Sequence, residues 1–216
     1  MRGAAEAIAL TLACVALPAA AAEGGPVRGA YAESRAGVAY IAPCAAGKKL
    51  ELMDSPGARE LRRVFAALGG ARARTIFVEV IGHREGDGFH AERVVRAQAG
   101  GLGCSEDLRH VTAKAGGNDP SWSLVFDENA LRFQRIGDRA AAVFPPLGSF
   151  AERAGRREFT GETDAARISV VLIREPCEDK LANALFPYRA EVKFGWRTEP
   201  ATNVYRGCAY LGDAAR

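Results

Sequence analysis

Four cysteines that follow an apolar N-terminal leader constrain this chain more than any other feature of its sequence. Residues 1–22 have a basic start, an apolar run and small residues at Ala20 and Ala22, the pattern of a cleaved export signal. An even number of cysteines behind such a leader indicates an oxidising compartment and two disulfides. We therefore expect small, disulfide-stabilised domains built around Cys44, Cys104, Cys177 and Cys208.

The leader itself contains Cys14, so two interpretations of the N-terminus stay open. Cleavage after Ala22 produces a chain that begins at Glu23 in the periplasm. Thr11-Leu12-Ala13-Cys14 is a weak form of a lipoprotein signal, and acylation of Cys14 would give the chain a membrane tether. Both interpretations predict an exported protein, in the periplasm or associated with the outer membrane.

Charge and hydropathy argue against nucleic acid as a partner and against a further membrane-spanning helix. The net charge is only +3, and the densest basic group, Arg59, Arg62 and Arg63, has the spacing of a solvated helix face. No segment after the leader approaches the ~18 consecutive apolar residues of a membrane-spanning helix. We therefore expect no nucleic acid as a partner, and instead an envelope protein or a small ligand.

Two glycine-rich segments, residues 100–103 and 116–120, are the strongest turn signals in the chain and place a domain boundary near residue 115. Of the three ways to pair four cysteines, Cys44–Cys104 with Cys177–Cys208 keeps each bridge within one half. The predicted organisation is a signal peptide over residues 1–22, a flexible N-terminus over 23–34, an OB-like domain over 35–115 and a small β-barrel domain over 116–216.

The first half has few strands and one helix, a combination that favours a small OB-like barrel. Asp54 or Ser55 is a suitable N-cap for a helix with Pro56 in its first turn. Apolar residues at helical spacing continue this helix to Leu68. Alternating or β-branched segments predict strands over residues 37–41, 49–53, 75–81 and 90–95.

The second half is nearly all β, which favours a small antiparallel barrel or sandwich. Its clearest strand is 189–196, where apolar and charged residues alternate. Between Cys177 and Phe186 the pattern predicts a short helical turn. The other predicted strands are 122–126, 131–134, 140–144, 158–162, 168–173 and 204–211.

Three motifs in the second half resemble a family of small exported bacterial proteins, usually described only as lipoproteins or membrane proteins. The family patterns are G-N-E-P-F-W, P-C-x-D-x-M-S and G-C-A. They stand here as Gly117-Asn118-Asp119-Pro120-Ser121-Trp122, Pro176-Cys177-Glu178-Asp179-Lys180-Leu181-Ala182 and Gly207-Cys208-Ala209, and the resemblance covers residues 117–212. Ser121, Leu181 and Ala182 depart from the family pattern.

Residues 35–104 look like the OB-type domain of the NlpE family of outer-membrane lipoproteins. The resemblance rests on Cys44-x-x-Gly47, on a helix with Leu61 and Phe65, and on Val78-x-Val80-x-Gly82. It implies an envelope location, a second, lipocalin-like barrel and a role in surface or stress sensing. The family's C-x-x-C pair is missing from this sequence, so the resemblance does not imply thiol-based or copper sensing.

If the first two motifs meet in space, Asp119, Trp122 and Asp179 would line one end of the second barrel, and they are the candidate pocket. Each residue also has a structural interpretation. Trp122 suits a core plug, Asp179 suits a cap on its own turn, and Asp119 before a proline suits a turn.

The sequence predicts no metal, cofactor or catalytic residue. His83, His90 and His110 lack helical i,i+4 spacing, and the cysteines are better used in disulfides. His83 and His90 are expected to face each other across the Gly86-Asp87-Gly88 turn. Motifs for serine, metal-dependent and phosphate-transfer enzymes are absent from the sequence.

These observations predict a non-enzymatic accessory protein of the cell envelope, a binding or stress-sensing module of the NlpE-like type. One alternative is a secreted inhibitor or binder of a cell-wall enzyme, with residues 145–157 as its rigid loop. A hydrolase that uses paired carboxylates is the third hypothesis.

Intact-mass spectrometry of the protein purified from periplasm and membranes tests the prediction about the N-terminus. We expect a chain that begins at Glu23 and lacks four hydrogens, because two disulfides have formed. An acylated N-terminus at Cys14 would select the lipoprotein alternative. Four free thiols would contradict export to an oxidising compartment.

Overall fold

The computed structural model describes residues 26–45, 47–69, 74–145, 150 and 152–215, and these residues fold mainly as β-strands. The predicted signal peptide and Cys14 lie outside the described residues. Among the described helices, none is both long and apolar enough to cross a membrane.

The first part of the chain forms a closed five-stranded barrel with the strand order β1-β2-β3-β5-β4-β1. Neighbouring strands are antiparallel except β3 and β5, which are parallel. This arrangement confirms the predicted OB-like barrel. Its elements are β1 (Val27–Glu33), β2 (Ala39–Pro43), β3 (Leu50–Leu52), α1 (Pro56–Ala67), β4 (Ile76–Glu85) and β5 (Gly88–Gln98).

Helix α1 begins as the sequence predicts, and Ser55 is its N-cap. The Ser55 hydroxyl accepts from the Ala58 amide at 3.2 Å and donates to the Ala91 carbonyl of β5 at 2.8 Å. Leu61 on its buried face is fully enclosed in the barrel core. The cap therefore fixes the start of the helix against the barrel that its apolar face packs on.

The second part forms an eight-stranded antiparallel barrel that is nearly closed, with β9 and β10 as its two edges. Its interior is filled by apolar side chains, among them the fully buried rings of Phe133, Phe144 and Phe194. The strands are β6 (Val111–Asn118), β7 (Ser121–Asp127), β8 (Leu131–Arg135), β9 (Ala142–Phe144), β10 (Arg156–Glu162), β11 (Ala166–Ile173), β14 (Tyr188–Trp196) and β15 (Asn203–Leu211).

A hairpin of β12 (Cys177–Asp179) and β13 (Ala184–Phe186) connects β11 to β14 but belongs to the other sheet. Strand β13 pairs with β5 of the first barrel, with Ala184 opposite Gln98. The predicted helical turn between Cys177 and Phe186 is therefore wrong. The Asp179 side chain accepts from the amides of Leu181 and Ala182, and so closes a tight turn between two strands.

The predicted flexible N-terminus over residues 23–34 is also wrong where the structure describes it. Val27–Glu33 is strand β1, it pairs with both β2 and β4, and the Tyr31 side chain is fully buried. Gly29 lets two strands approach closely, because a Cβ there would lie 2.4 Å from the Ala42 carbonyl oxygen. The segment is ordered because the barrel closes through it.

The predicted boundary near residue 115 falls inside strand β6, so it does not separate two sheets. Gly116 and Gly117 are strand residues and not turn residues. A Cβ on Gly117 would lie 2.3 Å from the Arg206 carbonyl oxygen and 2.4 Å from the Trp122 indole nitrogen. Here glycine permits close packing of the backbone and the Trp122 indole. In the sequence, a glycine pair required for packing cannot be distinguished from one that marks a turn.

Both predicted disulfides are present. Cys44 and Cys104 have their Cα atoms 5.1 Å apart, and Cys177 and Cys208 have theirs 5.5 Å apart. These separations lie in the usual range for such bonds. The first disulfide joins the end of β2 to the 3₁₀ turn Gly103–Ser105, and the second joins β12 to β15.

Substitution of Gly117 tests whether this glycine is required by packing. We expect Gly117→Ala to lower the free energy of unfolding by about 2 kcal/mol, because the new methyl group overpacks the Trp122 contact. Gly100→Ala is the matched control, since a Cβ there meets no atom within 4 Å. Urea unfolding that shows equal losses for both variants would contradict the packing argument.

Candidate functional site

Two of the sequence motifs meet in the structure through a polar contact. The Asn118 amide at the end of β6 donates to both carboxylate oxygens of Asp179, at 2.9 Å each. Asp119 is exposed beside it, on the turn between β6 and β7. The contact attaches the β12–β13 turn to the second barrel.

Trp122, the third candidate residue, points into the barrel and is only 4 % exposed. Its ring packs against Phe133 and Tyr205, and its N–H donates to the Arg206 carbonyl at 3.2 Å. Trp122 is therefore a core residue, as the structural interpretation of the sequence predicts. The contacts of Trp122 and Asp179 both serve the fold.

The two histidines of the β4–β5 hairpin face each other, as predicted. The rings of His83 and His90 stack with centroids 5.4 Å apart, and each contacts one carboxylate: Glu92 at 3.0 Å for His83 and Glu85 at 2.8 Å for His90. In the part of the chain that the structure describes, no group of three or more histidine, cysteine or acidic residues is arranged to hold a metal ion.

A β-bulge shapes the outer face of the first barrel. Glu79 pairs with Arg96 and Val80 pairs with Val94, so Val95 is an extra residue in β5. Val94 points into the barrel core, while Val95 and Arg96 both turn outward, an outcome that regular alternation does not allow. The bulge thereby places an apolar and a cationic side chain side by side on the face that meets the second barrel.

Arg96 is the centre of the contact between the barrels. Its guanidinium is 2 % exposed, donates to the Glu106 carboxylate at 2.7 Å and lies 3.6 Å from the centroid of the Tyr210 ring. Glu106 also accepts from Lys114 of β6 at 2.8 Å and from the Tyr210 hydroxyl of β15 at 2.6 Å. We call Arg96, Glu106, Lys114 and Tyr210 the interbarrel ion cluster.

The ion cluster keeps Glu106 ionised. Burial raises the pKa of Glu106, but hydrogen bonds from Lys114, Tyr210 and Arg96 outweigh that effect and lower it to about 2. Burial also raises the pKa of Tyr210, which stays a neutral donor. The cluster therefore pairs one carboxylate with two cations across the junction.

A cleft of about 190 Å³ opens between the barrels beside this cluster. Ile81 and Val95 from the first barrel form one wall, and Pro187 and Leu211 from the second form the other. The two barrels thus border a mainly apolar cleft that is open to solvent. The remaining lining residues are Pro26, Glu79, Arg93, Arg174, Tyr188 and Tyr210.

Most charges around the cleft are already paired. Glu79 is 1 % exposed and lies 3.4 Å from the Arg28 guanidinium. Arg174 contacts Glu152 at 2.7 Å, and this hydrogen bond is the main reason that the pKa of Glu152 falls to about 2. Arg93 is exposed and makes no ion pair with any described residue. The cleft thus combines apolar walls with one available guanidinium.

Comparisons of the chain with known protein families, with curated proteins and with solved structures find no match. The resemblances that the sequence motifs carry therefore remain predictions. The function of the protein has to be argued from its own geometry.

The cleft was not predicted, because its walls come from segments that are distant in sequence. One local signal was present: Arg93-Val94-Val95-Arg96 breaks the period-two alternation of a strand and indicates a bulge. The inhibitor loop predicted over residues 145–157 includes 146–149 and 151, which lie outside the described residues.

Removal of the Glu106 carboxylate tests the ion cluster. We expect Glu106→Gln to lower the free energy of unfolding at pH 7 by about 3 kcal/mol, because it leaves the buried Arg96 charge uncompensated. Asp107→Asn, at the exposed neighbouring carboxylate, should change it by less than ~0.5 kcal/mol.

The same variants have a defined pH dependence. Because the pKa of Glu106 is lowered from 4.5 to about 2, its contribution is complete above pH 4.5 and is lost as the pH falls towards 2. Urea unfolding from pH 7 to pH 2 should therefore show a smaller acid loss for Glu106→Gln than for the unsubstituted protein. Parallel curves would contradict an ionised, paired Glu106.

Proposed function

We propose that the protein is a non-enzymatic accessory protein of the cell envelope that binds a small ligand in the cleft between its barrels. The observation that carries the proposal is the cleft itself, a mainly apolar space whose walls come from both barrels. Concave apolar sites with a few polar groups at the junction of two domains are the usual place for small ligands.

An exported location is part of this proposal. Two disulfides persist in oxidising compartments, and the leader over residues 1–22 has the pattern of an export signal. We therefore place the protein in the periplasm or at the outer membrane, with a lipid tether if Cys14 is acylated.

Two carboxylates that contact lining residues of the cleft favour binding over catalysis: Glu106 contacts Tyr210, and Glu152 contacts Arg174. Glu106 and Glu152 both have a pKa lowered to about 2, by hydrogen bonds from Lys114 and from Arg174 respectively. A hydrolase with paired carboxylates needs one of them protonated near neutral pH, and therefore with a raised pKa. These two carboxylates act as ion-pair partners instead.

A cleft with one wall on each barrel also suits the predicted sensing role. A ligand that contacts both walls stabilises the docked arrangement of the barrels by mass action. The ligand's presence would thus be reported by the stability of the interbarrel contact. We therefore propose a sensing role related to that of NlpE-type proteins, in which ligand binding changes the stability of the interbarrel contact.

Filling the cleft tests the proposed function. We expect a small-molecule extract of the bacterial envelope to raise the Tm of the unsubstituted protein by a few degrees, and to leave that of Val95→Trp unchanged because the indole occupies the cleft. Differential scanning calorimetry measures both.

Val143→Trp is the matched control, since Val143 is an exposed strand valine that does not line the cleft. The control should respond to the extract like the unsubstituted protein. Near-UV circular dichroism verifies that each variant keeps its tertiary packing. An equal response of Val95→Trp and Val143→Trp would contradict ligand binding in the cleft.

A further inference from the structure

We infer that the ligand of the cleft is a small amphiphilic carboxylate, an unbranched aliphatic acid of about six to ten carbons. In this arrangement the carboxylate binds Arg93 and the chain lies between the walls that Ile81 and Val95 form with Pro187 and Leu211. The inference rests on the proposed function, because it names the ligand of the same site.

The size of the cleft limits the ligand. Its volume of about 190 Å³ corresponds to about six water molecules at ~30 Å³ each. It is smaller than the ~300–1,000 Å³ of sites that enclose drug-sized molecules. A single short chain therefore fills the cleft, whereas most of a complete phospholipid or a cell-wall fragment would lie outside it.

The apolar walls favour an alkyl chain over a polar ligand. Val95 faces the cleft because of the bulge in β5, and Ile81 on β4 lies beside it and is half-buried. Leu211 and Pro187 oppose them from the second barrel. Each CH₂ group that is buried there should tighten binding about fourfold, equivalent to ~0.8 kcal/mol.

The charges around the cleft select an anionic head group. The Glu79 carboxylate lies beside Arg28, which also donates to Asp213, and the Arg174 charge is paired with Glu152. Arg93 makes no ion pair within the described part of the chain, and its cross-strand neighbour is the apolar Ile81. A guanidinium binds a carboxylate through two parallel hydrogen bonds, which an alcohol or an amine cannot form.

The charges also limit the ligand to one anionic group. A second carboxylate in the cleft would face the buried carboxylate of Glu79, and like charges at close range are unfavourable in a low-dielectric site. A monocarboxylate places its charge at Arg93 and only methylene groups against the rest of the lining. This is the chemical class that fits the walls and the charges together.

Titration calorimetry with the full disulfide-bonded chain tests the inference, with octanoate, octan-1-ol, octylamine and acetate as probes. We expect octanoate to bind at least tenfold more tightly than octan-1-ol and octylamine, and acetate to show no binding at the same concentrations. Hexanoate should bind more weakly than octanoate by about sixteenfold, because it lacks two CH₂ groups.

Arg93→Gln should weaken octanoate binding about tenfold and leave octan-1-ol binding unchanged, because it removes only the charged contact. Arg84→Gln is the matched control: Arg84 is an exposed arginine of the same hairpin that does not line the cleft. It should bind octanoate like the unsubstituted protein. Val95→Trp should bind none of the probes.

The outcomes separate the two proposals. Equal affinity for octanoate and octan-1-ol, or equal loss in Arg93→Gln and Arg84→Gln, would overturn the carboxylate assignment and leave the cleft as a binding site. The same holds if none of the probes binds while the envelope extract still stabilises the unsubstituted protein and not Val95→Trp. Loss of that difference would overturn the proposed function itself.

Discussion

The ion pair between Arg96 and Glu106 is the interaction on which the arrangement of the two barrels depends. Both side chains are almost completely buried. If the pair were broken, each would remain a buried charge without a counter-charge, which is strongly destabilising. Glu106 also accepts from Lys114 and Tyr210 of the second barrel, while Arg96 belongs to the first. The interbarrel ion cluster therefore favours one docked geometry of the two barrels. The cleft beside the cluster exists only in that geometry.

The disulfides act on the same junction. Cys104 precedes Glu106 by two residues, and Cys208 precedes Tyr210 by two residues. Each bridge therefore restricts a segment that carries a member of the ion cluster. A short loop or strand end that is held covalently loses less conformational entropy when its side chain is buried. The oxidising compartment that the cysteines indicate is thus linked to the interbarrel contact as well as to each barrel.

Local patterns predicted the elements whose rules are local, and missed those that depend on neighbours. Ser55 and Pro56 predicted the start of α1, and the alternation over residues 189–196 predicted β14. The sequence around Gly117 predicts a chain break, although the lack of a side chain at this glycine serves packing against Trp122. The cleft could not be predicted, because its two walls are joined only by the docking of the barrels. The valine pair Val94-Val95 in β5 is a local sequence signal of the bulge that shapes one wall of the cleft.

The hairpin that crosses from the second barrel to the first has a consequence for how such a chain can change over evolutionary time. Strand β13 lies late in the sequence yet covers the edge of β5 at Ala97 and Gln98, where β5 has run beyond its pairing with β3. A gene fusion or exchange that replaced either half alone would leave that edge exposed, and would leave the incoming hairpin without a partner strand. The two barrels are therefore expected to be inherited as one unit. Substitutions on either side of the interbarrel contact must remain compatible with each other.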